Sequence, residues 1–316
     1  MKNINFKIIF FGTPEFGAII LEKLCQTDYK PALVVTSPDK PVGRKKILTP
    51  PPVKILALKY DIPTAQPEKI RNGKEIGNLQ ADLIIVAAYG QIIPKEILEV
   101  PRYGGLNVHP SLLPRWRGPS PIQETILKGD KETGVTIMLM DEKIDHGKII
   151  SSIKHQVSRK TTYGELSKEL AKLGANLLIK TIPSWVKGEI NPLAQDESKA
   201  TFTKIIRKER GKIDWKKKAQ TIEREIRAFN PWPSSYCFYR KEGRELMLKV
   251  LEADFQGQDG NFRETGKTFL ASDGKITVQT GKDFLIIHKL QLEGRKPLTA
   301  ADFLRGQTNF IGTILK

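Results

Sequence analysis

Residues 7–26, KIIFFGTPEFGAIILEKLCQ, pass from an apolar run to a helical pattern across one glycine turn. Lys7 to Phe11 has the length and composition of a strand, and Pro14 with Glu15 opens a helix reaching about Gln26. The same alternation recurs along the first two hundred residues. Further strands are predicted at Leu33 to Thr36, Asp82 to Ala87, Gly105 to Val108 and Val135 to Met140, with Ile149 to Val157 as an antiparallel return. Tyr163 to Trp185 is long enough for about six helical turns, with Gly174 as a weak interior point. Strands alternating with helices predict an α/β fold around a Rossmann-like, mostly parallel sheet. The FGTPEFG turn stands where a dinucleotide-binding fold carries GxGxxG, but Pro14 replaces the middle glycine and blocks the close backbone approach that a diphosphate needs. The turn is therefore expected to close the site structurally, with helix amides left for a smaller group.

Residues 190–205 hold Asn191, Pro192 and charged side chains without a period, and are expected to link two domains, 1–189 and 206–316. Beyond them Ala219, Ile222, Ile226 and Phe229 form one apolar stripe on a helix that NPWP, residues 230–233, brings to an end. Short alternating runs follow at Tyr236 to Tyr239, Leu246 to Leu251, Thr268 to Leu270, Ile276 to Gln279 and Leu285 to Leu290. Such strands predict a small OB-like β-barrel, a fold often used to hold nucleic acid.

Composition narrows the function. The 316 residues are 39% apolar, which excludes a disordered chain, and 52 Lys and Arg against 35 Asp and Glu leave a net charge of +17. That balance implies a polyanionic partner more than a small neutral one. From Ala200 onward 23 basic residues oppose 14 acidic ones, so basicity is denser towards the C-terminal end. No apolar run approaches the ~20 residues of a membrane helix, and Ile8 to Phe11 is too short for a signal peptide, so a cytosolic location is expected. Cys25 and Cys237 form no CxxC pattern and the four histidines offer few ligands, so neither a disulfide framework nor a metal site is expected.

The densest chemistry lies in GGLNVHPSLLPRWRG, residues 104–118, which leaves a buried-type strand and enters a proline-rigid loop. Alternation puts Asn107 and His109 on one face of the strand end, at the carboxyl edge where open α/β sheets bind ligands. There an amide donor and an imidazole can converge on one reacting carbonyl; a satisfied structural histidine is the competing reading. A carboxylate to orient the imidazole is offered by DEKIDHG, residues 141–147. Asp145, just before the turn, is the choice, with Asp141 nearly as good. Ser37 to Pro52 is a long loop carrying Lys40, Arg44, Lys45 and Lys46 against Asp39. Its cations could grip phosphates or belong to a solvated loop.

These stretches resemble the methionyl-tRNA formyltransferase family over essentially the whole chain. The resemblance rests on FGTPEFG, on TSPDKPVGR (36–44), on NVHPSLLPRWRGPSPIQ (107–123), on ETGVTIMLMDEKIDHG (132–147) and on IRAFNPWP (226–233). It implies transfer of a formyl group from 10-formyltetrahydrofolate, as donor substrate, to the α-amino group of methionine on initiator tRNA for translation initiation in a bacterial cytoplasm. It implies a formyltransferase catalytic domain at 1–189 and an OB-like tRNA-binding domain at 206–316. Catalytic roles are implied for Asn107, His109 and Asp145, and folate contacts for Ser111, Leu112, Leu113 and Pro114. The basic loop is implied to reach the tRNA acceptor end, with Arg44, Lys45 and Lys46 on the RNA. Arg44 stands out among them, because a planar guanidinium can engage a phosphate or a base edge. No metal is implied, and a monomer is expected. One departure is His146, where the family usually carries a small or hydroxyl residue; it either crowds the site or points to solvent as a turn residue. A sugar-nucleotide formyltransferase would share the central motif but has no need of the cationic loop. A catalytically silent RNA-binding protein would not need Asn107, His109 and Asp145 together.

Overall fold

The computed structural model describes residues 6–43, 46–71, 80–257 and 263–316. Two compact units emerge. The first is built from Met1–Pro121, Glu132–Val157 and Glu165–Thr203, and the second from Ile122–Lys131, Ser158–Gly164 and Lys204–Lys316. In chain order the elements begin with β1 (Ile8–Gly12), α1 (Glu15–Cys25), β2 (Leu33–Val35), β3 (Lys40–Val42), β4 (Ile47–Thr49), α2 (Pro52–Lys59) and β5 (Thr64–Ala65). They continue with β6 (Leu83–Ala87), α3 (Lys95–Leu98), β7 (Gly105–His109), α4 (Pro121–Lys128), β8 (Glu132–Leu139), β9 (Ile149–Gln156) and α5 (Tyr163–Val186). The remainder is α6 (Ala219–Phe229), β10 (Ser235–Lys241), β11 (Arg244–Gln256), β12 (Thr268–Leu270), β13 (Ile276–Gln279), β14 (Phe284–Leu292), β15 (Leu298–Thr299) and α7 (Ala300–Gly306).

The first unit is a Rossmann-like layer with strand order β5-β2-β1-β6-β7-β8-β9. From β5 to β7 every neighbour is parallel, whereas β8 runs antiparallel to both β7 and β9. The expected return at β9 is present, and the chain has already reversed at β8. The connection between β7 and β8 carries α4, nearly all of which belongs to the second unit. β1 and β6 are buried at every position, as a parallel sheet covered on both faces requires. Ile9, Phe11, Val35, Ile84, Val86 and Ile97 share one buried cluster. At the first turn, a Cβ on Gly12 would stand 2.9 Å from the Ala87 carbonyl oxygen and one on Gly17 2.7 Å from the same atom. These glycines let α1 close against the end of β6, which is the structural use expected of the turn.

The second unit is an antiparallel sheet in the order β10-β11-β14-β13-β12, with β15 beside β14. Residues 312–316 bridge its two edges. Thr268 and Leu315 donate backbone N–H groups to Thr313 and Gly266 at 2.8 and 2.9 Å, while Phe238 and Lys316 exchange bonds of 2.7 and 3.0 Å. The sheet thereby closes into a small barrel-like body, as the sequence predicts. Cys237 and Tyr239, Leu248 and Val250, Ile276 and Val278, and Leu285 and Ile287 point inward at period two. Ala219, Ile222 and Ile226 of the predicted α6 stripe enter the same core, and Phe310 packs edge-on against Tyr239 and Phe303. Both cysteines are free, and burial pushes the Cys25 thiol up to about 11 and the Cys237 thiol up as well. No described helix is long and apolar enough to cross a membrane.

Gly174 explains itself by packing. A Cβ there would lie 2.7 Å from Val108 Cγ1, so the missing side chain lets α5 press directly onto β7 between Asn107 and His109. In an open helix Gly→Ala stabilises by up to about 1 kcal/mol. Here Gly174→Ala is expected to lower the melting temperature by overpacking; a higher Tm in thermal denaturation would show that Val108 gives way.

Candidate active site

The pleat of β7 puts Asn107 and His109 on one side at the carboxyl end of the parallel strands, opposite Met138 and Thr136 of β8. Asp145 comes from the turn between β8 and β9. Its backbone sits at φ 48, a left-handed conformation that Asp and Asn tolerate better than most residues. Asp145 Oδ1 accepts a hydrogen bond from Asn107 Nδ2 at 3.3 Å and stands 3.6 Å from His109 Nδ1. Its Oδ2 accepts the Gly118 N–H at 2.8 Å. The three side chains singled out by sequence meet at one carboxylate. Asp141 does not share it: that residue faces His146 Nδ1 at 2.6 Å and accepts the Lys143 N–H at 3.0 Å. His146 is half-buried between Asp141 and Glu197, whose Oε1 lies 3.6 Å from its Nε2.

His109 is only 4% exposed. Its Nε2 stands 3.1 Å from the Trp116 carbonyl oxygen. A carbonyl can only accept, so Nε2 carries the hydrogen and Nδ1 is the nitrogen able to gain or release a proton. The nitrogen left free of the Trp116 carbonyl therefore faces Asp145.

The loop after β7 is fixed from several directions. Ser111 Oγ donates to the Arg115 carbonyl at 2.6 Å. Thr136 Oγ1 donates to the Ser111 carbonyl at 2.7 Å and accepts the Leu113 N–H at 3.1 Å. Half-buried Leu112 and Pro114 give this preset backbone an apolar side suited to a flat ring. Further on, Trp116 N–H donates to Thr201 Oγ1 at 2.9 Å, Arg117 N–H to the Thr201 carbonyl at 2.9 Å, and Thr203 N–H to the Arg117 carbonyl at 2.7 Å.

Arg117 has 2% of its surface exposed. Its Nε donates to Gln195 Oε1 at 3.0 Å, and Nη1 and Nη2 donate to the two Glu197 oxygens at 3.0 and 2.6 Å. The Arg117 hydrogen bonds are the main reason the Glu197 carboxyl is held below the usual glutamate range, and the Arg117, His146 and Lys143 charges add to it. Gln195 Nε2 in turn donates to the Asp145 and Gly147 carbonyls at 3.0 and 2.7 Å. Residues 190–205, expected as a link, thus place Gln195, Glu197, Thr201 and Thr203 on the site loop. Sequence reasoning missed these residues and Thr136. The one available signal was Arg117, a charge inside an apolar loop that demands a partner.

Residues 37–52, expected as one long loop, contain the β3–β4 hairpin, with Val42 opposite Ile47 and with Gly43 at φ 72 and Lys46 at φ 48. Three-residue strands, one interrupted by Pro41, are too short for alternation to register. Lys46 is exposed, and Arg44 and Lys45 lie outside the described residues. At the hairpin base Asp39 accepts bonds from Gln66 Nε2 at 2.7 Å and Lys54 Nζ at 2.8 Å. These bonds, the Gln66 one foremost, hold its carboxyl below the usual aspartate range. Among the described residues no three His, Cys, Asp or Glu side chains gather to hold a metal ion.

Comparison with known proteins places both parts of the chain in one family. The formyl transferase family matches residues 6–182, and the formyl transferase C-terminal domain matches residues 205–308. A methionyl-tRNA formyltransferase of Halalkalibacterium halodurans is 42% identical over 304 residues, covering 95% of this chain and 94% of that one. The chain belongs to the methionyl-tRNA formyltransferase family. Another such relative, from Staphylococcus epidermidis, is 40% identical over 314 residues, 98% of this chain and 99% of its own. The fold of the methionyl-tRNA formyltransferase family chain is also that of the sugar 3N-formyltransferase WlaRD, solved with dTDP and 5-N-formyl-tetrahydrofolate. That structure has a TM-score of 0.65 at 20% identity over 92% of this chain and 99% of that one. An N-formyltransferase from Helicobacter canadensis, in complex with folinic acid and dTDP-3-aminofucose, has a TM-score of 0.64 at 18% identity over 89% and 98% of the two chains.

The Arg117–Glu197 pair gives this methionyl-tRNA formyltransferase family member a defined acid response. Glu197→Gln is expected to lower the Tm at pH 7, because a buried guanidinium loses its charged partner. A depressed carboxyl pKa contributes stability above the unfolded glutamate value of about 4.3 and loses it as pH falls through the folded value. The Tm gap between wild type and Glu197→Gln should therefore narrow as the pH is taken from neutral to below that range; a constant gap in thermal melts would contradict the pairing.

Proposed function

We propose that the protein transfers the formyl group of 10-formyltetrahydrofolate to the α-amino group of methionine on initiator tRNA, acting as a monomer in a bacterial cytoplasm. One observation carries the reading. Asn107 Nδ2 and His109 Nδ1 converge on Asp145 Oδ1, at 3.3 and 3.6 Å, in a chain 42% identical along nearly its whole length to a protein named methionyl-tRNA formyltransferase.

Acyl transfer to an amine places negative charge on the carbonyl oxygen and moves a proton from the attacking nitrogen to the leaving one. Asn107 uses one amide hydrogen on Asp145 and presents the other to that oxygen. His109, committed through Nε2 to Trp116, exchanges its proton at Nδ1. Asp145, fixed by the Gly118 N–H, steadies the charged ring between the two proton transfers. The Ser111–Pro114 backbone receives the flat folate ring, and Thr136 keeps that backbone in place. Residues 1–189 carry the chemistry and 206–316 the tRNA body, with Arg44, Lys45 and Lys46 at the acceptor end. Their phosphate contacts weaken with salt.

The test is formyl transfer measured on initiator methionyl-tRNA, elongator methionyl-tRNA and an amino-sugar nucleotide. Initiator-selective transfer is expected; transfer to the amino sugar alone would keep the chemistry and overturn the substrate. Asp145→Asn preserves the left-handed backbone and removes the charge, so kcat should fall by about 100- to 10,000-fold with little change in Tm, and near wild-type turnover would rule Asp145 out of the mechanism. Thr136→Val removes both loop bonds and should raise the KM for 10-formyltetrahydrofolate about five-fold, the effect of about 1 kcal/mol of lost hydrogen bonding. An unchanged KM would take the Ser111–Pro114 loop out of folate binding.

A further inference from the structure

Asp145, Gly118, Arg117 and Gln195 form a closed circuit. Asp145 Oδ2 accepts the Gly118 N–H at 2.8 Å, and Gly118 follows Arg117 in the chain. Arg117 Nε donates to Gln195 Oε1 at 3.0 Å. Gln195 Nε2 then donates back to the Asp145 carbonyl at 3.0 Å and to the Gly147 carbonyl at 2.7 Å. Only a carboxamide offers an acceptor and two donors on one neutral planar head, and all three are used here.

The circuit encloses two residues in left-handed backbone, Asp145 at φ 48 and Gly118 at φ 107, and neither lies in a strand or helix. Gln195 and Gly118 hold the turn that carries Asp145 at two points, one at the main chain and one at the carboxylate. Gln195 is itself immobilised, because Glu197 pairs with the Arg117 guanidinium in a bidentate fashion and so fixes the plane of the Nε donor. Displacements of about 1 Å in such a centre can cost about 100-fold in rate.

We propose that Gln195 is a positioning residue for formyl transfer: it sets where the Asp145 carboxylate stands relative to His109 Nδ1 and Asn107 Nδ2, without itself touching substrate. The inference rests on the roles proposed above for Asn107, His109 and Asp145. Gln195→Met keeps length and packing while deleting all three bonds, and Gln195→Glu keeps the acceptor for Arg117 but cannot donate to the two carbonyls.

Steady-state and single-turnover kinetics on the full chain, with 10-formyltetrahydrofolate and initiator methionyl-tRNA, decide the matter. Either variant is expected to lower kcat about ten-fold with both KM values within about two-fold of wild type. In an Asp145→Asn background, where there is no charge left to position, the same change should cost less than about two-fold. Equal losses in both backgrounds, or a loss confined to KM, would overturn the proposal in favour of general structural support. Full turnover by Asp145→Asn alone would overturn the catalytic reading and this inference with it. If Gln195→Met does not fold, Gln195→Glu, which keeps an acceptor for the buried Arg117 guanidinium, gives the same reading.

Discussion

A guanidinium cannot shed its charge at any pH a protein survives, and an unpaired one out of water costs several kcal/mol. Arg117, almost wholly covered, therefore has to be met by acceptors, and Gln195 and Glu197 supply them. That requirement fixes far more than one side chain. It draws residues 195–203 onto the loop after β7, where Thr201 and Thr203 zip to the backbone on either side of Arg117. Trp116, whose carbonyl meets His109, and Gly118, whose N–H meets Asp145, flank it immediately in the chain. The geometry of the His109–Asp145 pair is in this sense a consequence of neutralising one buried cation.

The other end of the loop is anchored by the sheet. β7 has a parallel neighbour in β6 and an antiparallel one in β8, so it cannot shift register without breaking two ladders at once. Successive residues of its last turn of pleat divide the labour: Asn107 and His109 go to the site, and Val108 between them goes to α5 at Gly174. The candidate site on one face and tight packing on the other share three consecutive residues. β8 adds Thr136, placed across from His109, which ties the Ser111–Leu113 backbone to the same framework.

Elements with a local signature were legible from sequence. The apolar runs of β1, β6 and β7, the α6 stripe at 219, 222, 226 and 229, and the period-two strands of the barrel all announce themselves within a window of a few residues. Strand alternation put Asn107 and His109 on one face of β7, and the structure brings Asp145, the sequence's choice from the turn that follows β8, to the same place. What failed to register was of two kinds. The β3–β4 hairpin is made of three-residue strands whose apolar side chains, Val42, Ile47 and Leu48, are exposed, so no burial pattern marks it. Gln195 and Glu197 act on partners some eighty residues away in the chain, in a stretch with no period of its own. No local propensity encodes a hydrogen bond to a distant loop, and the margin between Asp145 and Asp141, narrow in the sequence, widens only with the β8–β9 turn in three dimensions.

The bridge formed by residues 312–316 has a bearing on how the chain is made. Synthesis proceeds from the N-terminus at about 5 to 20 residues per second, and domains ordinarily fold as they emerge. The barrel cannot follow that schedule to completion, since the segment that joins β10 to the Gly266–Thr268 edge is translated after every strand it joins. Until it arrives, both strand edges present unpaired N–H and C=O groups to their surroundings, the kind of template that recruits other nascent chains. The first unit, whose residues are all in hand by Thr203, is under no such delay. The C-terminal body is thus the part of this molecule whose strand edges are covered only once residues 312–316 have been made.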